Sequence, residues 1–298
     1  MSTIDCEDQR IFEKSWNIKD FQFGKPLGKG RFGRVYLARE VRTKYQHIVA
    51  IKIMSKKYIK ENNTIDNFKR ECEYHLELKH PNIIGFYGWF HDAEKIFFIL
   101  EYAPKGTLYS LISNGPLTEK LAATYVYQAA KALKYIHSKN LIHRDLKPEN
   151  ILIGFFDEIK IADFGWANKI VDDKYLNENT LCQSIAGTID YLCPEVISKE
   201  GHSKKVDIWC LGVLCYEMLT ARPPFTDETD KKTFSNIVKI KYEFPSSMRK
   251  QACELIAKIL VKEPSKRLSL DEIIESKWVE MYADKDETYM SYYSYDSK

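Results

Sequence analysis

An α+β chain in two lobes is what the order of hydrophobic patterns predicts: a small β-rich N-terminal lobe with one main helix, then a larger, mostly helical lobe. Three observations predict it. Period-two alternation runs through FQFGKPLGKG, RVYLARE and HIVAIKIM in the first stretch of the chain. Beyond Pro104-Lys105-Gly106 the long patterns become helical. The length of 298 residues leaves room for about two such units. The expected boundaries are a tail over 1–20, the first lobe over 21–103, the second over 104–279 and a flexible tail over 280–298.

Composition excludes several classes. Hydrophobic content of 44% and charged content of 29% suit a soluble globular protein. A net charge of +3 argues against nucleic acid or a membrane surface as direct partners. Cys6, Cys72, Cys182, Cys193, Cys210, Cys215 and Cys253 show no metal-binding spacing. With no secretory signal at MSTIDCEDQR, they read as reduced thiols of a cytoplasmic or nuclear protein. No apolar run approaches the ~18–20 residues of a membrane span, and no internal repeat is evident.

Taken in order, residues 1–20 are polar, with Phe12 and Trp16 as candidate anchors. Gly28, Gly30 and Gly33 mark the turn between the first two strands. Dinucleotide-binding folds share this spacing but open a helix after the third glycine. Here Arg34-Val35-Tyr36-Leu37-Ala38 continues as a strand, so the glycines bare a hairpin whose amides approach phosphate oxygens. Lys52 ends the apolar run of the third strand and invites an inward carboxylate. The next helix, FKRECEYHLEL, offers Glu71, Glu73 and Glu77. KIFFIL is a strand running into EYAP. LYSLI and TEKLAATYVYQAAKALKYIHSK are helices, the second opening on a Thr118 cap.

The run His143-Arg144-Asp145-Leu146-Lys147-Pro148-Glu149-Asn150 is a loop entering the short strand Ile151-Leu152-Ile153, and IKIADFG is a strand ending at a turn. Phosphoryl transfer to an alcohol needs a carboxylate to orient the hydroxyl and side-chain oxygens to hold magnesium against a triphosphate. Asp145 suits the first role, Asn150 and Asp163 the second, and Lys147 could neutralise the phosphoryl in flight. Any one of these is also a common turn former; the ordered set is not. A polar segment follows from Trp166 to Cys193. VDIWCLGVLCYEMLT is an apolar helix carrying Asp207, a carboxylate that burial would oblige to find donors.

From about Trp16 to Val279 this set resembles the catalytic core of eukaryotic protein kinases. DFQFGKPLGKGRFGRVYLARE, KHPNIIGFYGWFHD, ILEYAPKGTLY, IADFGWA and VLCYEML…RPPF are similar to the Aurora family of mitotic serine/threonine kinases. Trp166, directly after DFG, is the most specific of these residues. Gly88 is similar to the spindle-associated branch rather than the centromeric one.

The resemblance implies ATP and Mg2+ as cofactors, with Asp145, Lys147, Lys52 and Glu71 as the catalytic set. Glu71 matches the family's RxE pattern better than its neighbours do. The resemblance also implies a nucleotide site at Leu27, Gly28, Gly30, Gly33, Val35, Ala50, Lys52, Leu100, Glu101, Ala103, Glu149, Asn150, Leu152 and Asp163. Leu100 is the implied gatekeeper. Thr188 with Lys147 is the serine/threonine-kinase arrangement, and Glu195 pairs with Arg267 inside the second lobe. Glu149 and Glu217 match positions that read an arginine before the target Ser/Thr.

Thr180 and Ser184 are both candidate regulatory phosphosites, to be gripped by Arg144 and Arg70. The arginines that precede the family's threonine are missing here, which leaves open a loop ordered by an activator instead. His75 stands where kinases place an aliphatic residue over the DFG phenylalanine, Phe164. Either it adds pH sensitivity or it is a half-exposed helix histidine. The family further implies an activating peptide near Trp16, Tyr87 and the Glu71 helix, a monomeric catalytic chain, and a spindle, centrosome or centromere location. The alternative is a scaffold or pseudokinase needing an obligate activator, although Lys52, Asp145 and Asp163 are all present. A neighbouring basophilic group would need an apolar docking tail beyond Trp278, where the chain reads YMSYYSYDSK.

Overall fold

The computed structural model describes residues 16–30, 33–61, 65–169, 189–201 and 203–289, with the side chains of 66–71 and 166 outside that description. The chain divides into two compact units, Met1–Glu77 with Gly85–Tyr102, and Leu78–Ile84 with Ala103–Lys298.

The first unit is an antiparallel sheet in the order β1-β2-β3-β5-β4. Its strands are β1 Phe21–Gly30, β2 Gly33–Glu40, β3 Ile48–Ser55, β4 Phe86–His91 and β5 Lys95–Glu101, with helices α1 Lys56–Glu61 and α2 Ile65–Glu77. Because side chains alternate along a strand, the sheet feeds two apolar clusters. Phe21, Ala38, Val49, Ile51, Phe90, Phe97 and Ile99 form one, and Met54, Ile59, Cys72, Ile96 and Phe98 the other. Flat stacking of Phe90 on Phe97 (centroids 4.6 Å) and on Phe21 (5.6 Å) closes the first cluster. Trp16 tilts onto Phe21 at 5.4 Å, so the anchor lies just ahead of β1. Parity places Lys52 with Met54 and Phe98, on the face where Cys72 of α2 packs.

One expectation is corrected in this unit and another is refined. A half-exposed His75 is not what the fold builds: the ring is 2% exposed and stacks on Phe86 at 5.2 Å. The three hairpin glycines also have different reasons. A Cβ at Gly33 would lie 1.8 Å from the Ile53 carbonyl oxygen, so the close approach of β3 demands this glycine. Gly28 has no neighbour within 4 Å of that position and Gly30 only one, at 4.0 Å.

In the second unit, α4 (Glu119–Ser138) and α6 (Lys205–Thr220) are the central helices. Alanines 122, 123, 129, 130 and 132 keep α4 slim, and all five are fully buried. Helices α3 (Leu108–Ile112), α5 (Pro194–Ile197), α7 (Asp230–Lys239), α8 (Lys250–Ile259), α9 (Leu270–Ile274) and α10 (Lys277–Tyr282) complete the unit. Thr118 caps α4 by accepting from Leu121 N–H at 3.3 Å. Gly212 lets α6 approach α8, since a Cβ there would meet Ile259 Cγ2 at 2.5 Å. Arg267 and Glu195 form a buried two-pronged pair, with Nη1–Oε1 at 2.7 Å and Nη2–Oε2 at 2.6 Å. Three short strand pieces, β6 Leu141–Ile142, β7 Ile151–Ile153 and β8 Ile159–Ile161, frame the catalytic-loop sequence, and β9 Asn168–Lys169 pairs with β6.

The expected flexible tail from residue 280 also needs correction over its described part. Helix α10 runs to Tyr282, and residues 283–289 lie along α4. Tyr289 is 8% exposed and its hydroxyl meets the Asn82 amide at 3.2 Å. Residues 290–298 lie outside the described residues.

Candidate active site

The pairing of β7 with β8 explains how distant residues meet. Ile151 pairs with Ile161, and Ala162 N–H extends the ladder to the Asn150 carbonyl at 2.8 Å. That register brings Asn150, just before β7, beside the start of Asp163-Phe164-Gly165. The Asn150 amide nitrogen donates to the Asp145 carbonyl oxygen at 2.8 Å and to Asp145 Oδ2 at 2.7 Å. The other carboxylate oxygen, Oδ1, accepts from Lys147 Nζ at 2.8 Å. Asp145, Lys147 and Asn150 are therefore one hydrogen-bonded group. Burial pushes the Asp145 carboxyl above its usual range, while the Lys147 ammonium draws it back down.

Asp207, wholly buried on α6, holds the loop from beneath. It accepts from Arg144 N–H at 2.8 Å, from His143 N–H at 3.0 Å, and meets His137 Nε2 at 2.8 Å. Burial alone would raise its carboxyl; the His137 contacts and the Arg144 amide hold it below the usual range. Arg144 sits at φ 68° and Asp163 at φ 64°, a left-handed conformation that costs a non-glycine residue roughly 1–3 kcal/mol. The Asp207 bonds sustain it at Arg144. Sequence had singled out Asp207 but gave no signal for His137, which lies at the other end of α4's helical pattern.

His143 links the two halves of the loop. Its Nδ1 accepts from Asp145 N–H at 3.3 Å, which leaves Nε2–H for the Ala162 carbonyl at 3.1 Å. The ring meets Phe164 edge-on at 5.0 Å, and Phe164 is fully buried.

Glu217 stands near the end of α6 and is 8% exposed. Burial pushes its carboxyl up to about 7, with the negative charges of Glu149 and Asp190 adding to the rise, although the Tyr191 hydroxyl, donating at 2.6 Å, opposes it. Glu149 is exposed. The Tyr191 partner escaped sequence reading, since YLCPE carries no pattern that points to α6.

The remaining predicted residues divide by where they lie. In the first unit, Lys52 is 9% exposed, with Nζ 5.8 Å from the Phe98 ring centre. Gly28 pairs with Val35, Ala50 with Leu37 and Leu100, and Lys52 with Val35 and Phe98, so these expected nucleotide-site residues occupy adjoining strand positions. Leu27 is on β1 and 38% exposed. Glu101 N–H donates to the Gly85 carbonyl at 2.8 Å, so this amide is already engaged. Ala103 and Leu152 belong to the second unit. Glu71 and Arg70 lie on α2, but their side chains are outside the described residues, as are Thr180 and Ser184 entirely.

The donor set suits magnesium shared with phosphates. Asn150 and Asp163 supply oxygen, the ligand Mg2+ prefers. Among the described residues no group of three or more His, Cys, Asp or Glu could hold a metal alone. Mg2+ is ordinarily held by one or two carboxylates plus substrate phosphates rather than by a protein cage.

Comparison with known proteins bears on the whole arrangement. The protein kinase domain family matches residues 21–279. "Aurora kinase" of Dictyostelium discoideum is 44% identical over 276 residues, covering 92% of this chain and 70% of that protein. This chain belongs to the Aurora kinases. "Aurora kinase A-B" of Xenopus laevis is 43% identical over 268 residues, covering 90% of this chain and 64% of the relative. "Aurora kinase B" of Mus musculus is 44% identical over 268 residues, covering 90% of this chain and 75% of the relative. Relatives named A and B match this Aurora kinase at similar identity. It is a serine/threonine protein kinase and an ATP user by family.

Proposed function

We propose that this Aurora kinase transfers the γ-phosphoryl of ATP to serine or threonine preceded by arginine, with Asp145 orienting the hydroxyl. The observation that carries the reading is the bonded group Asp145–Lys147–Asn150 held over Asp207. Asp145 Oδ2 is shared with the Asn150 amide, so the carboxylate is fixed in one rotamer before substrate arrives. Lys147 lies at Oδ1, where its charge also serves the transferred phosphoryl. Asn150 and Asp163 would hold Mg2+, which when bound neutralises charge on the phosphates. Lys52 is the candidate contact for the α- and β-phosphates, with Glu71 as its partner on α2. Backbone at Gly28 and Gly30, open to solvent, is suited to cover phosphates.

Glu149 and Glu217 would read the substrate arginine. Two carboxylates close enough to raise Glu217 make a site that a guanidinium relieves. Thr180 or Ser184, gripped by Arg144 and Arg70 once phosphorylated, remains the proposed switch. An activating peptide on the first unit is supported by the exposure of Tyr87 (50%) near strand β4's Trp89. A spindle, centrosome or centromere setting, in cytoplasm and nucleus, follows from the family.

The test is transfer of radiolabelled phosphate to an arginine-containing serine peptide, before and after phosphatase, beside Asp163→Asn. Transfer lost with Asp163→Asn and after phosphatase supports a phosphate-switched kinase. Transfer indifferent to phosphatase removes the switch. ATP binding with no transfer under any condition would move the reading to a scaffold.

A further inference from the structure

One cavity of the second unit is lined by none of the predicted catalytic or nucleotide-site residues. It measures about 640 Å3 and has three walls. One is the outer stripe of α4, through Leu121, Thr124 and Gln128. A second is the β7–β8 turn at Phe156 and Asp157, and the third is the strap of residues 284–289. The strap is tied down at separate points. Asp284 N–H donates to Thr124 Oγ1 at 2.8 Å, the Tyr127 hydroxyl donates to Glu287 at 2.9 Å, and the Tyr289 hydroxyl meets Asn82.

The chemistry of the lining is specific. Asp157, Asp284 and Asp286 face a single lining lysine, Lys120. Asp157 pairs with Lys105 and Asp284 with Lys120, both through well-exposed side chains, the kind of contact that contributes little and exchanges readily. Asp286 makes no ion pair among the described residues; its Oδ1 only accepts from Thr288 N–H at 2.9 Å. Gln128 supplies a second, independent sign. It is 5% exposed and its carbonyl oxygen accepts from Ile159 N–H at 2.9 Å. That bond fixes the amide's orientation, and its NH2 has no partner among the described residues, so it opens into the cavity. Phe156 (42% exposed) adds an apolar rim, next to Phe155 (70%).

From this we infer that the cavity is a docking site for an extended basic segment of a partner protein, with arginine or lysine beside an apolar side chain. Gln128 decides between ligand classes. A metal ion or a polyamine brings positive charge but no acceptor for this NH2, a donor that opens into the cavity. A peptide brings both, its main-chain carbonyl taking the amide and its guanidinium the aspartates. The volume lies within the range of specific ligand sites, about 300–1,000 Å3.

The test uses the full chain and a fluorescein-labelled Leu-Arg-Val-Arg-Leu-Ala amide, which has no hydroxyl to phosphorylate, read by anisotropy. Saturable binding is expected, weakened about tenfold or more in Asp284→Asn/Asp286→Asn. Phe156→Ser should weaken it as well. Asparagine still accepts the strap's turn hydrogen bonds, and matched melting temperatures verify that the fold is kept. Three results overturn the proposal: no saturable binding, binding lost only in Glu217→Gln, or binding that appears only after residues 290–298 are removed. The second would assign the peptide to the substrate groove and the third would assign the cavity to the chain's own tail.

Discussion

Asp145 is useful because its two oxygens have different partners. Lys147 binds one and the Asn150 amide the other, so Asp145→Asn keeps the shape while removing the proton acceptor. Phosphate transfer should fall about 10²–10⁴-fold in kcat, with nucleotide affinity retained in an equilibrium binding assay. Glu217 makes a prediction about pH. Its carboxyl is pushed up to about 7, so it is largely protonated below that pH and charged above it. A substrate arginine gains its partner only in the charged form. The KM for an arginine-preceded peptide should therefore fall as pH rises from about 6 to 8, and Glu217→Gln should flatten the profile and raise KM throughout. A profile unchanged in Glu217→Gln would remove this residue from substrate recognition. The thiols are a contrasting case. Cys193, Cys210 and Cys215 are packed, and burial drives all three above their usual pKa, so they are inert in this fold.

Elements act through the few side chains that fasten them. The Arg267 guanidinium donates to both Glu195 oxygens, to the Val261, Lys262 and Lys205 carbonyls, and lies 4.9 Å from the Trp209 ring centre. Removing one partner leaves a buried charge alone. Arg267→Ala should cost about 3–5 kcal/mol in urea unfolding. The strap is fastened more lightly: Tyr289→Phe deletes one buried hydroxyl and should cost about 1 kcal/mol. Strand β3 sets a third constraint. An alanine at Gly33 would drive its Cβ into the Ile53 carbonyl, so the hairpin would have to move off β3, the strand that carries Lys52.

For the molecule as a whole, ligand binding should appear as stability. ATP with Mg2+ at about a hundred times its Kd adds about 2.7 kcal/mol, or about 4 °C in melting temperature for a chain of this size. Replacing magnesium by EDTA should shrink that shift, because Asn150 and Asp163 then face the phosphates without a cation. An equal shift with and without metal would argue against their assignment as its ligands.

The two-lobed α+β order was legible in the sequence because side-chain periods of two and 3.6 are local properties. So were the kinase family and the Aurora membership, carried by contiguous strings such as HRDLKPEN and IADFGWA. Asp145, Lys147, Asn150, Asp163 and Asp207 could be named for the same reason. Tertiary structure alone decided what each of them touches. His137 and Asp207 are seventy positions apart in sequence, Tyr191 and Glu217 belong to different elements, and Asn82 meets Tyr289 from far along the chain. The burial of His75 and the docking of residues 283–289, both read otherwise from the sequence, belong to the same class. Each depends on surfaces assembled from separate segments, and the free energy of burying a group is a property of that assembled surface, with no periodic trace along the chain.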